Sequence, residues 1–253
     1  MMRRRNKSSF PLLTFLIAFL LFPSIAGAVG LPTITFGVED AQAPAQVSTA
    51  LQVLFLLTIL SVAPAILLMM TSFTRIVIVL GFVRQAMGTQ NMPPTQVVIG
   101  LSLFLTFFIM SPTFNRINQE ALQPYLNNEL TQQNALENAV VPLREFMFSH
   151  VMEEELAMLS DITLENEPEN KDDIPTMTLI PAFMLSELKR AFQMGFMVYI
   201  PFLVIDMIVA SVLMSMGMMM LPPVIISMPF KLLLFVLVDG WGLVAGSLLK
   251  SFG

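Results

Sequence analysis

Apolar residues gather into four long stretches, Leu51–Met70, Val97–Met110, Ala191–Met216 and Val224–Leu249. The first is 20 residues long, about 30 Å as a helix and enough to cross hydrocarbon. Pro64 lies inside it and predicts a kink there. The helical pattern continues through Arg75 to Arg84, until Gly88 and the Pro93-Pro94 pair stop it. The second stretch ends at Ser111-Pro112, and Leu221-Pro222-Pro223 separates the third from the fourth. Between the two pairs lies a polar segment, residues 112–180, read as part helix (Val140 to Ser160) and part loop.

This pattern predicts an all-α chain of membrane-derived helical hairpins around an acidic, helical, soluble insert. The divisions are a first hairpin over 47–111, the insert over 112–180, and a second hairpin over 181–253. Ahead of them, Arg3, Arg4, Arg5 and Lys7 precede a charge-free apolar run, Leu12 to Phe22, and then Ala26-Gly27-Ala28. A basic start, an apolar run too short to span a bilayer and an A-x-A site make a secretory signal peptide over 1–28, with Ala26 and Ala28 at the cleavage site. Residues 29–46, rich in Pro, Gly and Ala, read as an extended periplasmic lead-in.

Composition narrows the function. Of 253 residues, 55% are hydrophobic and 12% charged, about half the charge of an ordinary soluble domain. Mean hydropathy of +0.75 argues against a soluble enzyme. With no Cys and one His, disulfides and thiolate sites are excluded, and imidazole metal sites or a Ser-His-Asp triad have little to build on. A formal charge of −5 argues against nucleic acid, which needs a basic face. Within 112–180, 13 acidic side chains face 3 basic ones, a local net of −10.

Arg75, Asp206, Lys231 and Asp239 interrupt apolar helix, where a charge at mid-bilayer costs roughly 2.5–3.5 kcal/mol, so each is expected to face protein or water. Ion pairing within an oligomer is the plainest reading. A proton relay and an aspartyl dyad of Asp206 and Asp239 compete with it, although Asp239 opens Asp239-Gly240-Trp241-Gly242, not the usual G-x-G-D. Gly242 and Gly246 have the G-x-x-x-G spacing that permits close helix packing. His150, Glu153 and Glu154 have metal-ligand spacing, but without a second His they read as an acidic solvated face. Met214, Met216, Met218, Met219 and Met220 crowd the turn beside Gly217. Unbranched, polarizable side chains in that density suit an adaptable seal.

Longer blocks carry a family resemblance. They are Phe73-Thr74-Arg75-Ile76-Val77-Ile78-Val79-Leu80, Arg84 to Gln90, Pro181 to Leu188 with Ala191 to Phe196, and Pro201 to Asp206 with Met214 to Pro223. On these the chain resembles the FliP family of flagellar protein-export gate components and their virulence type III secretion relatives. The resemblance implies a non-enzymatic pore subunit without cofactors, in the bacterial inner membrane and periplasm at the flagellar basal body. It implies a homo-oligomer of about five copies, joined by a related subunit and a small two-helix subunit, passing unfolded flagellar subunits. It maps the pore gasket onto Met218, Met219 and Met220, and Glu187 is grouped with the buried charges as a structural or inter-subunit contact.

Counting crossings from an external N-terminus puts the Arg84–Pro94 and Gly217–Pro223 turns inside and the insert outside. Only Arg84 is then a cytoplasmic charge, while Lys189, Arg190 and Lys250 fall outside, against the usual bias of Lys and Arg. A largely extramembrane helical channel, as the resemblance implies, accounts for that misfit. The alternatives are an ion-coupled secondary transporter and an intramembrane aspartyl protease. If 1–28 is a signal peptide, intact mass or N-terminal sequencing should show a mature chain beginning at Val29. A chain retaining Met1–Ala28 sinks the external N-terminus.

Overall fold

The computed structural model describes residues 44–253 except 90, 91, 164–167, 169 and 219, with side chains described from Val53 onward. The signal segment and most of the lead-in lie outside the described residues. Among those described there is no strand. The helices are α1 (Pro44–Met69), α2 (Phe73–Ala86), α3 (Thr95–Ile117), α4 (Gln123–Leu126), α5 (Gln132–His150), α6 (Glu153–Thr163), α7 (Thr176–Ser215), α8 (Pro223–Leu237) and α9 (Gly240–Lys250). A π-helical turn, Asn118–Leu122, joins α3 to α4, and a 3-10 turn spans Lys171–Asp173.

Two helical runs are each long and apolar enough to cross a membrane, Thr95–Leu126 and Thr176–Ser215. Two bent pairs pass the same test, Val53–Met69 with Phe73–Ala86 and Pro223–Leu237 with Gly240–Lys250. The first bend, of 71°, is not at Pro64, through which α1 passes. It falls at Thr71–Ser72, because the Thr71 hydroxyl donates to the Leu68 carbonyl at 2.8 Å and accepts the Phe73 N–H at 3.3 Å. A side chain that takes over backbone groups in this way competes with the helix ladder. The second bend, of 62°, divides the expected single helix Val224–Leu249 at Asp239, which adopts the left-handed conformation (φ 51°). Gly240 then lies against the Phe235 ring, where a Cβ would collide.

The helix ends also differ from the expected ones. α3 runs through Ser111-Pro112, and α7 begins at Thr176 and passes Pro181 and Pro201. The change in composition at 180/181 therefore falls inside a helix. Each internal proline removes one backbone bond, and α7 lies packed along α2, α5, α6 and α8, so tertiary burial offsets the loss.

The core follows from the α2 pattern. Ile76, Val79, Leu80, Val83 and Ala86 recur at three- and four-residue steps and form one buried stripe. It packs on Val98 of α3, Ala191 and Phe202 of α7, Phe235 of α8, and Val244 and Leu248 of α9. Burying a side chain of this size contributes roughly 1.5–3 kcal/mol. Facing the stripe, α3 presents Val98, Ser102, Thr106 and Met110 at i+4 steps. Its two hydroxyls donate to the Val98 and Ser102 carbonyls at 2.7 Å each, so this buried polar face leaves nothing unpaired. A second cluster joins Met70, Met110, Phe146, Met147, Ile174, Leu179 and Phe183, and Phe252 packs against both clusters.

Between the clusters sits an ion pair. Arg75 is 1% exposed and Glu187 is 0%. Arg75 Nε donates to Glu187 Oε2 at 2.8 Å and Nη2 donates to Oε1, so α2 and α7 are joined by a two-pronged contact. Nη1 donates to the Ser251 carbonyl and to its Oγ, both at 2.9 Å. The guanidinium lies 3.7 Å over the Phe252 ring, and that ring stacks on Phe146 of α5 with centroids 6.2 Å apart. One cation thus ties α2, α7, α5 and the C-terminal residues together, using planar geometry that Lys cannot reproduce.

Removing either partner strands a buried charge, so Arg75→Ala or Glu187→Ala should cost about 3–5 kcal/mol. Arg75→Lys should cost less than Arg75→Ala, yet still loosen Ser251 and Phe252. Thermal unfolding of the detergent-solubilised chain, with protease sensitivity at the C-terminus, checks both. Wild-type behaviour of Arg75→Ala would show that the clamp is not structural.

Candidate functional site

Lys231 of α8 is 2% exposed. Its Nζ donates to Asp206 Oδ2 of α7 at 2.6 Å, while Ser227 Oγ, one turn earlier on α8, donates to Asp206 Oδ1. Spacing explains the fit, since Ser227 and Lys231 are four apart and share the α8 face turned to α7. Gly88, at φ +73°, closes the turn after α2 beside this pair, where a Cβ would lie 3.8 Å from Lys231 Nζ. Arg75–Glu187 and Lys231–Asp206 are both closed within one chain. Asp239 stands apart, exposed at the α8–α9 bend; its backbone N–H donates to the Val236 carbonyl and its carbonyl accepts the Leu243 N–H, while its carboxylate has no hydrogen bond or ion pair among the described residues. Its carboxylate occupies the space that a Cβ at Gly242 would take, whereas nothing lies within 4 Å of one at Gly246.

The methionine turn is set by backbone chemistry. At the end of α7 the Met218 N–H reaches back to the Leu213 carbonyl at 3.0 Å, and the Gly217 N–H reaches Met214 at 3.1 Å. Gly217 takes φ +73°. This is the 6→1 and 5→2 pattern of a Schellman cap, which needs a left-handed residue and favours glycine. On the far side Pro222 caps α8 and Pro223 is its first residue, a position where the missing N–H costs nothing. The turn is therefore fixed at both ends without help from its side chains. Met220 is 98% exposed and Met218 42%; Met219 lies outside the described residues. Behind the turn, Met216 joins Ile205, Val209, Leu213, Ile226 and Phe230 along an apolar groove between α7 and α8.

His150, Glu153 and Glu154 are not on one helix, because α5 ends at His150 and α6 starts at Glu153. The His150 ring nitrogen Nδ1 instead lies 2.8 Å from the Phe146 carbonyl and 2.9 Å from Ser149 Oγ, and no metal-binding cluster exists among the described residues. The sharp break is held by Arg190, which donates to the His150 carbonyl at 2.8 Å, and by Ser186 Oγ, which accepts the Met152 N–H at 2.9 Å. On the insert surface Arg116 spans Glu120 and Glu145, and it holds the Glu145 carboxyl below the usual carboxylate range. Lys189 bridges Glu154 and Glu155 at 2.9 and 3.0 Å, fastening α6 to α7. Periodicity could not have paired Arg75 with Glu187, and Ser227 as a third member of the Asp206 site had no sequence signal beyond its i, i+4 relation to Lys231.

These features define an all-helical protein with apolar helices able to span a membrane and with two ion pairs, Arg75–Glu187 and Lys231–Asp206, tying those helices together. The FliP family model matches residues 56–248. The flagellar biosynthetic protein FliP of Bacillus subtilis is 60% identical over 209 residues, covering 83% of this chain and 95% of that protein. The namesake proteins of Pectobacterium carotovorum and Aquifex aeolicus are 54% and 50% identical, covering 80% of this chain in each case and 79% and 86% of their own lengths. The chain belongs to the FliP family.

The Lys231–Asp206 pair is asymmetric in burial, which gives a directional test. Asp206→Ala leaves Lys231 with no route to water and should cost about 3–5 kcal/mol. Lys231→Ala leaves Asp206, whose side chain is 20% exposed, in reach of solvent and of Ser227, and should cost only about 1–3 kcal/mol. The double change Lys231→Met with Asp206→Leu should recover most of the loss. Thermal unfolding in detergent reads all three; equal losses for the single variants would contradict this account.

Proposed function

We propose that the chain is a pore-forming subunit of the flagellar type III protein export gate, passing unfolded flagellar subunits across the inner membrane. The observation that carries this reading is the exposed methionine turn. Met218 and Met220 project from a tip whose backbone is closed by Gly217 and Pro222-Pro223, so the side chains are free to serve a lumen. About five copies around an axis, with the related subunit and the small two-helix subunit, bring Met218, Met219 and Met220 of each copy to one level.

Thioether and methylene surface closes such an opening against hydrated ions. Each contact is dispersion of about 0.1–0.2 kcal/mol per atom pair, so an arriving polypeptide displaces the plug and is wrapped by it. Extensive uncovered apolar surface on α1, α7 and α8, including Phe55, Leu56, Phe192, Phe196, Met207 and Val236, supports assembly with other subunits or lipid. In this reading Asp239 meets a cation of a neighbouring subunit, a role left to it because Arg75, Glu187, Asp206 and Lys231 are paired within the chain. Gly246, on α9, has open space where a Cβ would lie and leaves room for close approach, whereas Asp239 fills that space at Gly242.

The protease reading has less support. Asp206 spends both oxygens on Lys231 and Ser227, and Asp239 stands exposed at the α8–α9 bend.

Replacing Met218, Met219 and Met220 together by Ala should leave assembly and thermal stability near wild type, because the exposed side chains contribute little to the core. The same variant should make cells or proteoliposomes leak small ions and metabolites. An assembled triple-Ala complex with wild-type ion tightness would remove the methionines as the seal.

A further inference from the structure

The turn between α2 and α3 touches the methionine hairpin at Gly88. Met87, buried in the first core cluster, roots this turn. Gly88 follows at φ +73°, and its N–H donates to the Gln85 carbonyl at 3.1 Å, which ends α2. Two hydroxyls shape what comes next. Thr89 Oγ1 donates to the Met92 carbonyl, and Thr95 Oγ1, at the start of α3, accepts from Arg84 Nη1 at 2.9 Å. The turn is therefore a shaped piece, fixed to the α2 core by its own chain.

A Cβ on Gly88 would stand 3.7 Å from Val224 Cγ1 and 3.8 Å from Lys231 Nζ. Val224, Ser227 and Lys231 are spaced i, i+3, i+7 and share one face of α8. Ser227 and Lys231 turn that face to Asp206 of α7, while Val224 and Lys231 turn it to Gly88. One stripe of α8 is thus gripped from two directions. Val224 lies in the first turn of α8 and only four residues after Met220. Both Gly88 distances are ordinary van der Waals separations, so the seat has room for a methyl group. Conformation, not space, calls for glycine there. A left-handed backbone is disfavoured for L residues, and Asn is one of the few that adopt it readily.

We infer, on the gate reading proposed above, that Gly88 is a positioning residue of the methionine gate. Its left-handed backbone seats the α2–α3 turn against Val224 and Lys231, and this fixes where the hairpin tip presents Met218, Met219 and Met220. The Asp206 contacts hold α8 at Ser227 and Lys231, one and two turns below its start. Gly88 adds support at Val224, beside the tip. A turn that leaves this seat frees the tip while the apolar stripe of α2 stays packed.

The test uses the assembled export-gate complex in proteoliposomes, with spin labels on Leu221→Cys, an exposed position in a chain that has no Cys. Gly88→Ala should raise ion leak at least tenfold and broaden the label distances between copies, with assembly and thermal unfolding near wild type. Gly88→Asn, which accepts the left-handed backbone, should return both readouts to near wild type. Loss of the glycine alone would not separate these two variants. Should Gly88→Ala fail to assemble, Val224→Ala decides. It removes the α8 side of the contact at a half-exposed position without backbone strain, and should raise leak at least threefold. Equal leak from the Ala and Asn variants would overturn the inference. So would wild-type tightness and unchanged distances in Gly88→Ala or, where that variant does not assemble, in Val224→Ala. The triple Met→Ala variant runs alongside. If it is ion-tight, the methionine seal fails and the label distances alone decide on Gly88. If it leaks while Gly88→Ala matches wild type, the positioning role fails and the seal stands.

Discussion

A buried guanidinium governs this molecule. Arg75 has no access to water, so its charge must be answered by protein, and the answers come from two distant places in the chain, α7 and the C-terminal residues. Glu187 fixes α2 against α7, Ser251 draws in the end of α9, and Phe252 covers the cation and reaches over to Phe146. The apolar stripe of α2 drives burial without direction, because many helix rotations would hide Ile76, Val79 and Leu80 about equally well. A planar cation with five donors accepts very few of those rotations. Burial supplies the free energy of association, and the ion pair selects its geometry.

The second pair works on a different scale. Lys231 and Asp206 join adjacent helices on either side of the methionine turn, and Gly88 brings the turn after α2 against them. The tip that presents Met218 and Met220 therefore stands on a short braced lever whose base is tied twice. Backbone rigidity at the base and side-chain freedom at the tip are separate properties here. The Schellman cap and the two prolines provide the first, and unbranched thioethers provide the second. A seal built from rigid side chains would need the backbone to move whenever it opened.

Much of this organisation was legible in the sequence where the signal is local. The charge-free apolar stretches, the acidic insert, the glycine and proline stops of the methionine turn and the family blocks are all readable from neighbouring residues. The misread features depend on competition between local and distant terms. The 71° bend after α1 had no proline to signal it; it falls at Thr71, where a hydroxyl finds two backbone partners within a few residues. Asp239 looked like one more charge inside a helix. It is the left-handed residue that ends one helix and starts another, a conformation that Asp tolerates and that allows Phe235 to lie over Gly240 and against Trp241. The assignment of Arg75 to Glu187 is a long-range fact that no periodicity contains. The acidic helix face read at His150, Glu153 and Glu154 assumed a continuous helix, and the break at Val151 separates the residues.

The distance between Arg75 and Glu187 along the chain, 112 residues, has a consequence for biosynthesis. Chains elongate at roughly 5–20 residues per second, so about 6–20 seconds separate the emergence of the cation from that of its counter-ion. The aromatic cover and the serine carbonyl come later still. During that interval the first hairpin carries an unanswered charge on an otherwise lipid-soluble helix, and it cannot settle at depth without severe cost. Asp206 is made first and waits only for the 25 residues that separate it from Lys231, which meets its partner as it emerges. The order of synthesis therefore keeps the N-terminal half provisional until α7 arrives, and commits the C-terminal half almost as soon as it is made.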